Sequence, residues 1–135
     1  MSLDRDPTTA PIDFDSLLPA DVPHVRNVLY EAPYELLPRD PSVTITVYIG
    51  VHNPLSSTVW HYHNGASFFV VLQGRIEVEF EDEVRRFAVG DVYAEPVGKI
   101  HRAHNPDPEV KFVCVGFNAT PPDKELVTAV DGPAG

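Results

Sequence analysis

Prolines and turns that contain glycine or asparagine divide the chain into short apolar segments. Fourteen of its 135 residues are proline, and no helical apolar pattern extends beyond about two turns. The segment 43–49 alternates cleanly and places Val43, Ile45, Val47 and Ile49 on one face. Segments of this kind recur at roughly 8–12-residue spacing, which predicts an all-β sandwich or small barrel.

Each predicted strand ends at a recognisable turn, such as Asn64-Gly65, Gln73-Gly74 or Gly90-Asp91. The predicted strands cover residues 24–30, 43–49, 58–62, 67–72, 75–80, 84–89, 92–95, 100–105 and 110–117. Residues 1–20 are polar and acidic and are predicted to form an arm. The domain is predicted to span 21–119, and 120–135 are predicted to form a polar C-terminal tail.

Charge and cysteine content restrict the class of protein. The formal net charge is −10, with 20 acidic and 10 basic residues, which argues against nucleic acid and anionic membranes as partners. A single cysteine, Cys114, excludes an internal disulfide and fits a reducing compartment. No signal peptide and no run of ~20 apolar residues is present, so a soluble cytoplasmic protein is expected.

Two histidines two residues apart are the first candidate for chemistry. His61 and His63 lie in a predicted strand, so both side chains point to one face, roughly 6.6–7 Å apart along the strand. Two imidazoles at this spacing can bind one metal ion. Taken alone, His-x-His is a weak signal, and a third ligand is needed to decide.

A second pattern supplies that ligand. Gly90-x5-Pro96-x-Gly98-x2-His101-x3-Asn105 matches one of the two cupin motifs at every defined position. His61-x-His63-x3-Ser67-x6-Gly74 has the spacing of the other motif, 15 residues upstream. The chain therefore resembles a small single-domain cupin over residues 43–117. The resemblance implies a double-stranded β-helix, the jelly-roll barrel, with His61, His63 and His101 around a divalent metal.

The sequence departs from the cupin pattern at two positions. Leu55 stands where the pattern begins with glycine, and Ser67 stands where it usually has the glutamate ligand. A neutral hydroxyl is a poor ligand for a divalent ion. The prediction is therefore a three-histidine centre with a formal charge near +2, in which Ser67 lines the site and hydrogen-bonds a metal-bound water or the substrate.

Three-histidine iron centres in cupins include thiol dioxygenases and a β-diketone-cleaving dioxygenase. The resemblance thus favours an Fe(II) dioxygenase that acts on a small organic acid, diketone or phenolic compound, with zinc, nickel or manganese as other metals. A site that binds no metal, in which the histidines merely fill the barrel, is one open alternative. Two other functions also stay open. One is a non-catalytic module that binds a small ligand, and the other is an isomerase or lyase of the zinc or nickel type, which would need an inward general base.

The remaining polar and aromatic residues receive structural predictions. Strand alternation places Phe69 and Val71 inside the barrel and His104 on the face opposite His101. Glu95 can face either way, and Asn105 is expected to hydrogen-bond its turn rather than a metal. His24 and His52 fall outside both motifs and are predicted to be structural or on the surface. An outward apolar face is expected to mediate a homodimer; it comprises Trp60, Tyr62 and Phe68.

Overall fold

The computed structural model describes residues 22–35 and 42–134. This part of the chain forms ten β-strands and contains no helix, as the turn-rich pattern predicted. The strands are β1 His24–Glu35, β2 Ser42–His52, β3 His61–His63, β4 Ala66–Gln73, β5 Arg75–Glu79, β6 Val84–Ala88, β7 Val92–Glu95, β8 Arg102–His104, β9 Phe112–Thr120 and β10 Val127–Ala129.

The strands form three antiparallel sheets. The largest has the order β1-β2-β9-β4-β7, and a smaller sheet has the order β6-β5-β8. β3 pairs with β10 in a third, two-stranded sheet. An isolated bridge joins His61 to His101, which links the β3 segment to the segment that enters β8. Residues distant in sequence are thereby brought to one end of the barrel.

The main core lies between the five-stranded sheet and β5. Phe69 and Val71 of β4 point inward and pack with Ile76 and Val78 of β5, as their alternation predicted. Cys114 is buried in the same cluster, and burial raises the pKa of its thiol to about 12. Cys114 is therefore a protonated thiol of the core.

Tyr48 packs across the sheet onto a glycine. Tyr48 on β2 lies directly opposite Gly116 on β9, and Phe69 on β4 lies opposite the same glycine on its other side. A Cβ added at Gly116 would overlap the Tyr48 ring. The missing side chain therefore leaves the space that the ring occupies.

Left-handed backbone explains several of the turn residues. Gly74, Gly90 and Gly98 have φ values of 72°, 90° and 75°, which glycine adopts without a steric penalty. Leu55 has a φ of 59°, the one positive φ of a non-glycine residue in the described chain. The cupin pattern has glycine at this position, and the backbone conformation supplies a physical reason for it.

The structure also differs from the predicted strands. β10 pairs with the histidine strand, although the polar composition of this segment gave no strand signal. The predicted strand 58–62 is confined to His61–His63. The predicted arm 1–20 lies outside the described residues. The boundaries at 21–119 and 120–135 stay predictions.

The outward aromatic face is only partly exposed. Phe68 is 40% exposed and stacks on Phe117, while the guanidinium of Arg102 lies over the Trp60 ring. Homodimerisation through this face stays a prediction. In the described residues no helix has the length and apolar character that a membrane crossing requires.

Candidate metal centre

Backbone pairing brings three histidines together. The backbone N–H groups of His61 and His101 each donate to the carbonyl of the other residue, at 2.9 and 2.8 Å. His63 follows two residues after His61 on the same strand, so its ring points the same way. The ring centroids are 4.5 Å apart for His61 and His101, 5.1 Å for His63 and His101, and 5.4 Å for His61 and His63.

The rings present nitrogen donors at a spacing that suits a metal ion. One nitrogen from each of the three rings lies within 4.8 Å of the other two. The Nδ1 of His61 donates to the Val59 carbonyl at 2.7 Å, and the Nδ1 of His101 donates to the Lys99 carbonyl at 2.9 Å. These hydrogen bonds leave the Nε2 atoms of both rings for coordination, as in histidines that ligate metals. The three histidines are thus positioned to bind a metal ion.

Burial also favours the coordinating form of His61. The pKa of His61 is lowered to about 4, mainly by desolvation. The hydrogen bond to the Val59 carbonyl raises this pKa, whereas the charges of His101 and His63 lower it. The ring is therefore neutral at pH 7. A neutral imidazole keeps the lone pair that a metal ligand requires.

A carboxylate whose direction the sequence left open adjoins the histidines. Glu95, at the end of β7, accepts a hydrogen bond on Oε2 from His101 Nε2 at 2.9 Å, and the same oxygen pairs with His63 Nε2. The other oxygen, Oε1, accepts a hydrogen bond from the Ser67 hydroxyl at 3.3 Å. Glu95 thus contacts Ser67 through one oxygen and two of the three predicted histidines through the other. The role of Ser67 at the site stays a prediction.

The Glu95 carboxylate is buried and ionised. Its side chain is only 7% exposed, and burial alone would raise its pKa. Hydrogen bonds from His101 and His63 outweigh burial and hold the pKa of Glu95 well below its usual range. For His101, burial lowers the pKa, but the hydrogen bond and charge of Glu95 outweigh it and raise the pKa above its usual value.

Ser67 and Glu95 belong to a polar row that crosses the large sheet. Ser67 lies directly opposite Glu95 on β7 and opposite Asn118 on β9, and Asn118 in turn lies opposite Thr46 on β2. The Thr46 hydroxyl donates to Glu31 on the edge strand β1 at 3.1 Å. Thr46, Ser67 and Asn118 are buried, and Asn118 Nδ2 has no hydrogen-bond partner within the described chain. Glu95 therefore stands at the β7 end of this row of polar residues.

The metal centre opens into a cavity of about 410 Å³. Its walls are mainly apolar and include Phe69, Ile76, Val78 and Phe112. Val127 and Ala129 of β10 also line it, so the unpredicted strand forms part of the wall. Glu95 lines the cavity, whereas Ser67 is not among the lining residues. This volume and polarity suit a small organic ligand.

Three further polar residues of the cavity were not assigned to it from the sequence. His24 and Arg26 of β1 and His52 of β2 line it. The rings of His24 and His52 are stacked with centroids 5.3 Å apart. Burial, together with the charges of His24 and Arg26, lowers the pKa of His52 to about 3, so this ring is neutral at pH 7. The pairing of β1 with β2 places His24 opposite His52 at the cavity, where His24 and Arg26 stay exposed. The spacing of the two motifs gives no information about this pairing.

Arg26 is the cationic side chain of this wall. Its guanidinium carbon lies 4.8 Å from the centroid of the Tyr48 ring. Among the described residues, no carboxylate lies within ion-pair distance of Arg26. A guanidinium without a carboxylate partner, on the wall of an apolar cavity, is suited to bind an anionic group.

The other two predictions for the second motif agree with the structure. The His104 ring lies away from the cavity and its Nδ1 is 2.7 Å from the Ser57 hydroxyl. Asn105 is fully buried and its amide donates to the carbonyls of His52 and Val110 at 3.2 and 3.0 Å. Its Oδ1 accepts from the backbone N–H of Asp107 at 3.0 Å, so Asn105 holds the turn.

Comparison with known proteins agrees with this geometry. The model of the cupin domain matches residues 51–116, which contain both histidine motifs. The chain contains a cupin domain. The three inward histidines are those of the two cupin motifs, and the double-stranded β-helix predicted from them is the fold observed.

Solved structures share the fold at low sequence identity. A Klebsiella pneumoniae protein with a double-stranded β-helix domain has a TM-score of 0.68 and 20% identity, over 92% of this chain and 99% of its own. KdgF from Halomonas sp. has a TM-score of 0.55 and 22% identity, over 75% and 84% of the two chains. The DMSP lyase DddQ from Ruegeria pomeroyi has a TM-score of 0.54 and 18% identity, over 67% of this chain and 45% of its own. No protein with a curated description matches the sequence.

Proposed function

We propose that this cupin is a metal-dependent enzyme, an Fe(II) dioxygenase of a small organic acid, in which His61, His63 and His101 hold the metal. The observation that carries the proposal is the convergence of three imidazoles, with nitrogens within 4.8 Å of one another, at the wall of an apolar cavity. Imidazole suits iron, zinc, copper and nickel better than it suits calcium or magnesium. Iron bound there would supply the activation of O₂ and of a coordinated anion.

The protein's own residues prepare the site for this chemistry. The carbonyls of Val59 and Lys99 fix the orientation of the His61 and His101 rings. The apolar side chains of the cavity exclude water, which strengthens electrostatic interactions inside it. These features support tight and oriented binding of a metal and of one small ligand.

Arg26 favours an organic acid over a diketone or a phenol. Its guanidinium lines the cavity and has no carboxylate partner within the described chain. A substrate carboxylate would neutralise this charge, and the two parallel N–H groups of a guanidinium match the two oxygens of a carboxylate. The substrate would then have one anionic end at Arg26 and a reacting part at the histidines.

A metal-dependent lyase or isomerase is the second candidate, favoured by one observation. Such an enzyme needs an inward base, and Glu95 is an inward carboxylate. However, the hydrogen bonds of His101 and His63 hold the pKa of Glu95 well below its usual range. A carboxylate of this kind is a weak base, and the dioxygenase remains the first candidate.

The proposal is tested by the metal content of the tag-free protein. We expect about one equivalent of iron after expression with iron or after anaerobic loading with Fe(II), and loss of the iron in His101→Ala. His104→Ala is the matched control, because His104 lies three residues away and faces Ser57 rather than the cavity. It should retain the metal of the wild type.

Oxygen consumption then separates the two candidates. The iron-loaded protein should consume O₂ when supplied with a substrate from a panel of short carboxylic acids, whereas a lyase or isomerase would convert one of them without O₂. A wild-type protein that stays free of metal after anaerobic loading contradicts the proposal. So does a His101→Ala variant that binds iron as tightly as the wild type.

A further inference from the structure

We infer that Glu95 supplies the anionic fourth ligand of the metal centre from β7, in place of the carboxylate that the motif would carry at position 67. This inference rests on the proposed metal site and adds a residue that lies outside the motif's ligand positions. It is argued from strand register, from the hydrogen bonds of the carboxylate and from its charge.

Strand register makes positions 67 and 95 equivalent in space. Ser67 on β4 and Glu95 on β7 are directly opposite each other in an antiparallel pair. Side chains of directly opposed residues lie on the same face with Cβ atoms roughly 4.5–5.5 Å apart. A glutamate side chain bridges that distance, so a carboxylate attached at position 95 reaches the region that one attached at position 67 would reach.

Hydrogen bonds orient the carboxylate toward the imidazoles. Ser67 donates to Oε1 at 3.3 Å, and this contact leaves Oε2 directed at the rings. Oε2 accepts from His101 Nε2 at 2.9 Å and pairs with His63 Nε2. Since the Nδ1 of His101 is already bonded to Lys99, its Nε2 is the atom available to a metal. One oxygen of Glu95 thus adjoins the donor atoms at which a metal would bind.

The charge of Glu95 suits a metal ligand better than a general base. The Glu95 carboxylate is almost completely buried, and the negative charge of a buried carboxylate requires a cationic partner. A divalent metal is such a partner and would replace the proton shared with the histidines, since metals bind the deprotonated forms of their ligands. The centre would then carry a formal charge of about +1 instead of the +2 of three histidines with a divalent ion.

Exchanging the carboxylate between the two strands tests the inference. The proteins are the wild type, Glu95→Gln, the exchange variant Ser67→Glu/Glu95→Ser, and Glu109→Gln as a control at an exposed glutamate. Affinities for Zn(II) and Co(II) are measured by competition with a chromophoric chelator, and the visible spectrum of bound Co(II) reports on its ligands. Circular dichroism verifies that each variant is folded.

We expect Glu95→Gln to weaken binding of both metals by about 100-fold or more, since removal of a group outside the ligand shell typically costs about 10–100-fold. Its Co(II) spectrum should also change. The exchange variant should recover affinity to within about tenfold of the wild type, because the carboxylate returns from the opposite strand. Glu109→Gln should match the wild type in both measurements.

Three results overturn the inference. The first is a Glu95→Gln protein with metal affinity within tenfold of the wild type and an unchanged Co(II) spectrum. If His101→Ala still abolishes binding in that case, the proposed function stands and only the role of Glu95 fails. The second is a wild type that binds no metal, which overturns both. The third is a folded exchange variant that binds metal no more tightly than Glu95→Gln does. Should Glu95→Gln not fold, Glu95→Asp takes its place, because it keeps the charge but withdraws the carboxylate from the rings by one methylene. A metal affinity and a Co(II) spectrum equal to those of the wild type then contradict the role.

Discussion

A methyl group added at Gly116 should destabilise the domain through a single side chain, that of Tyr48. A Cβ at Gly116 overlaps three atoms of the Tyr48 ring, Cζ, Oη and Cε1. Gly116 lies on β9, which is hydrogen-bonded on both sides, so its backbone has little freedom to shift. The tyrosine ring must move instead, and it is buried in the main core.

The expected cost follows from these contacts. Overpacking a core typically costs about 1–3 kcal/mol, and we place Gly116→Ala near 3 kcal/mol because the overlap involves a rigid ring. In a Tyr48→Leu background the ring is absent, and alanine should then be neutral or should stabilise the strand by roughly 0.5–1 kcal/mol. The two substitutions should therefore couple by about 3 kcal/mol or more. Tyr48→Phe keeps the ring and is the matched control, in which the full cost should persist.

Urea unfolding at 25 °C measures these values, with the fluorescence of Trp60, the single tryptophan, and circular dichroism as probes. A chelator removes any stabilisation by bound metal. With m-values of roughly 1–3 kcal/mol/M, a loss of 3 kcal/mol lowers the midpoint by about 1–3 M. A cost below about 0.5 kcal/mol, or an equal cost with and without the Tyr48 ring, would refute the packing argument.

Two further predictions concern the cavity wall. Arg26→Gln should weaken binding of short carboxylates such as pyruvate and succinate to the Co(II)-loaded protein by about tenfold or more, whereas Arg26→Lys should keep part of the affinity. Spectrophotometric titration of the Co(II)-loaded proteins measures the carboxylate affinity. His52 should reduce stability in acid: its pKa is 6.5 when unfolded and about 3 when folded. Between pH 7 and pH 5 the unfolded chain binds more protons, so the stability difference between wild type and His52→Leu should fall by about 2 kcal/mol.

Each of these predictions has a clear contrary result. Equal carboxylate affinity in the wild type and Arg26→Gln would mean that the guanidinium does not contact the anion. For His52, urea midpoints of the two proteins that move in parallel from pH 7 to pH 5 would show that the ring titrates normally in the folded state.

Much of the fold could be predicted from the sequence because the turns are encoded locally. Gly74 and Gly90 mark turns in the sequence, and both adopt the positive φ that glycine allows. The strand β10 could not be predicted, since Val127–Ala129 carries no alternating run and is held by pairing with β3. Pairing of this kind depends on residues more than 60 positions away along the chain.

The site shows the same division between local and long-range information. His61, His63 and His101 were found because each motif fixes its own spacing. Glu95 was noted but could not be oriented, because its direction depends on the register between β4 and β7. For the same reason the sequence did not assign His52 to the cavity: its neighbour His24 belongs to another strand.

The opposition of Ser67 and Glu95 also bears on how this kind of centre diverges among proteins. The two positions lie directly opposite each other on neighbouring strands of the sheet. Two successive single substitutions can move the carboxylate from one position to the other. The intermediate protein then has a carboxylate at both positions or at neither. Two cupins can then keep the same centre while they disagree at the position by which the motif is recognised. A classification based on position 67 alone would separate proteins that share a site. A classification based on both opposed positions, 67 and 95, would group them together.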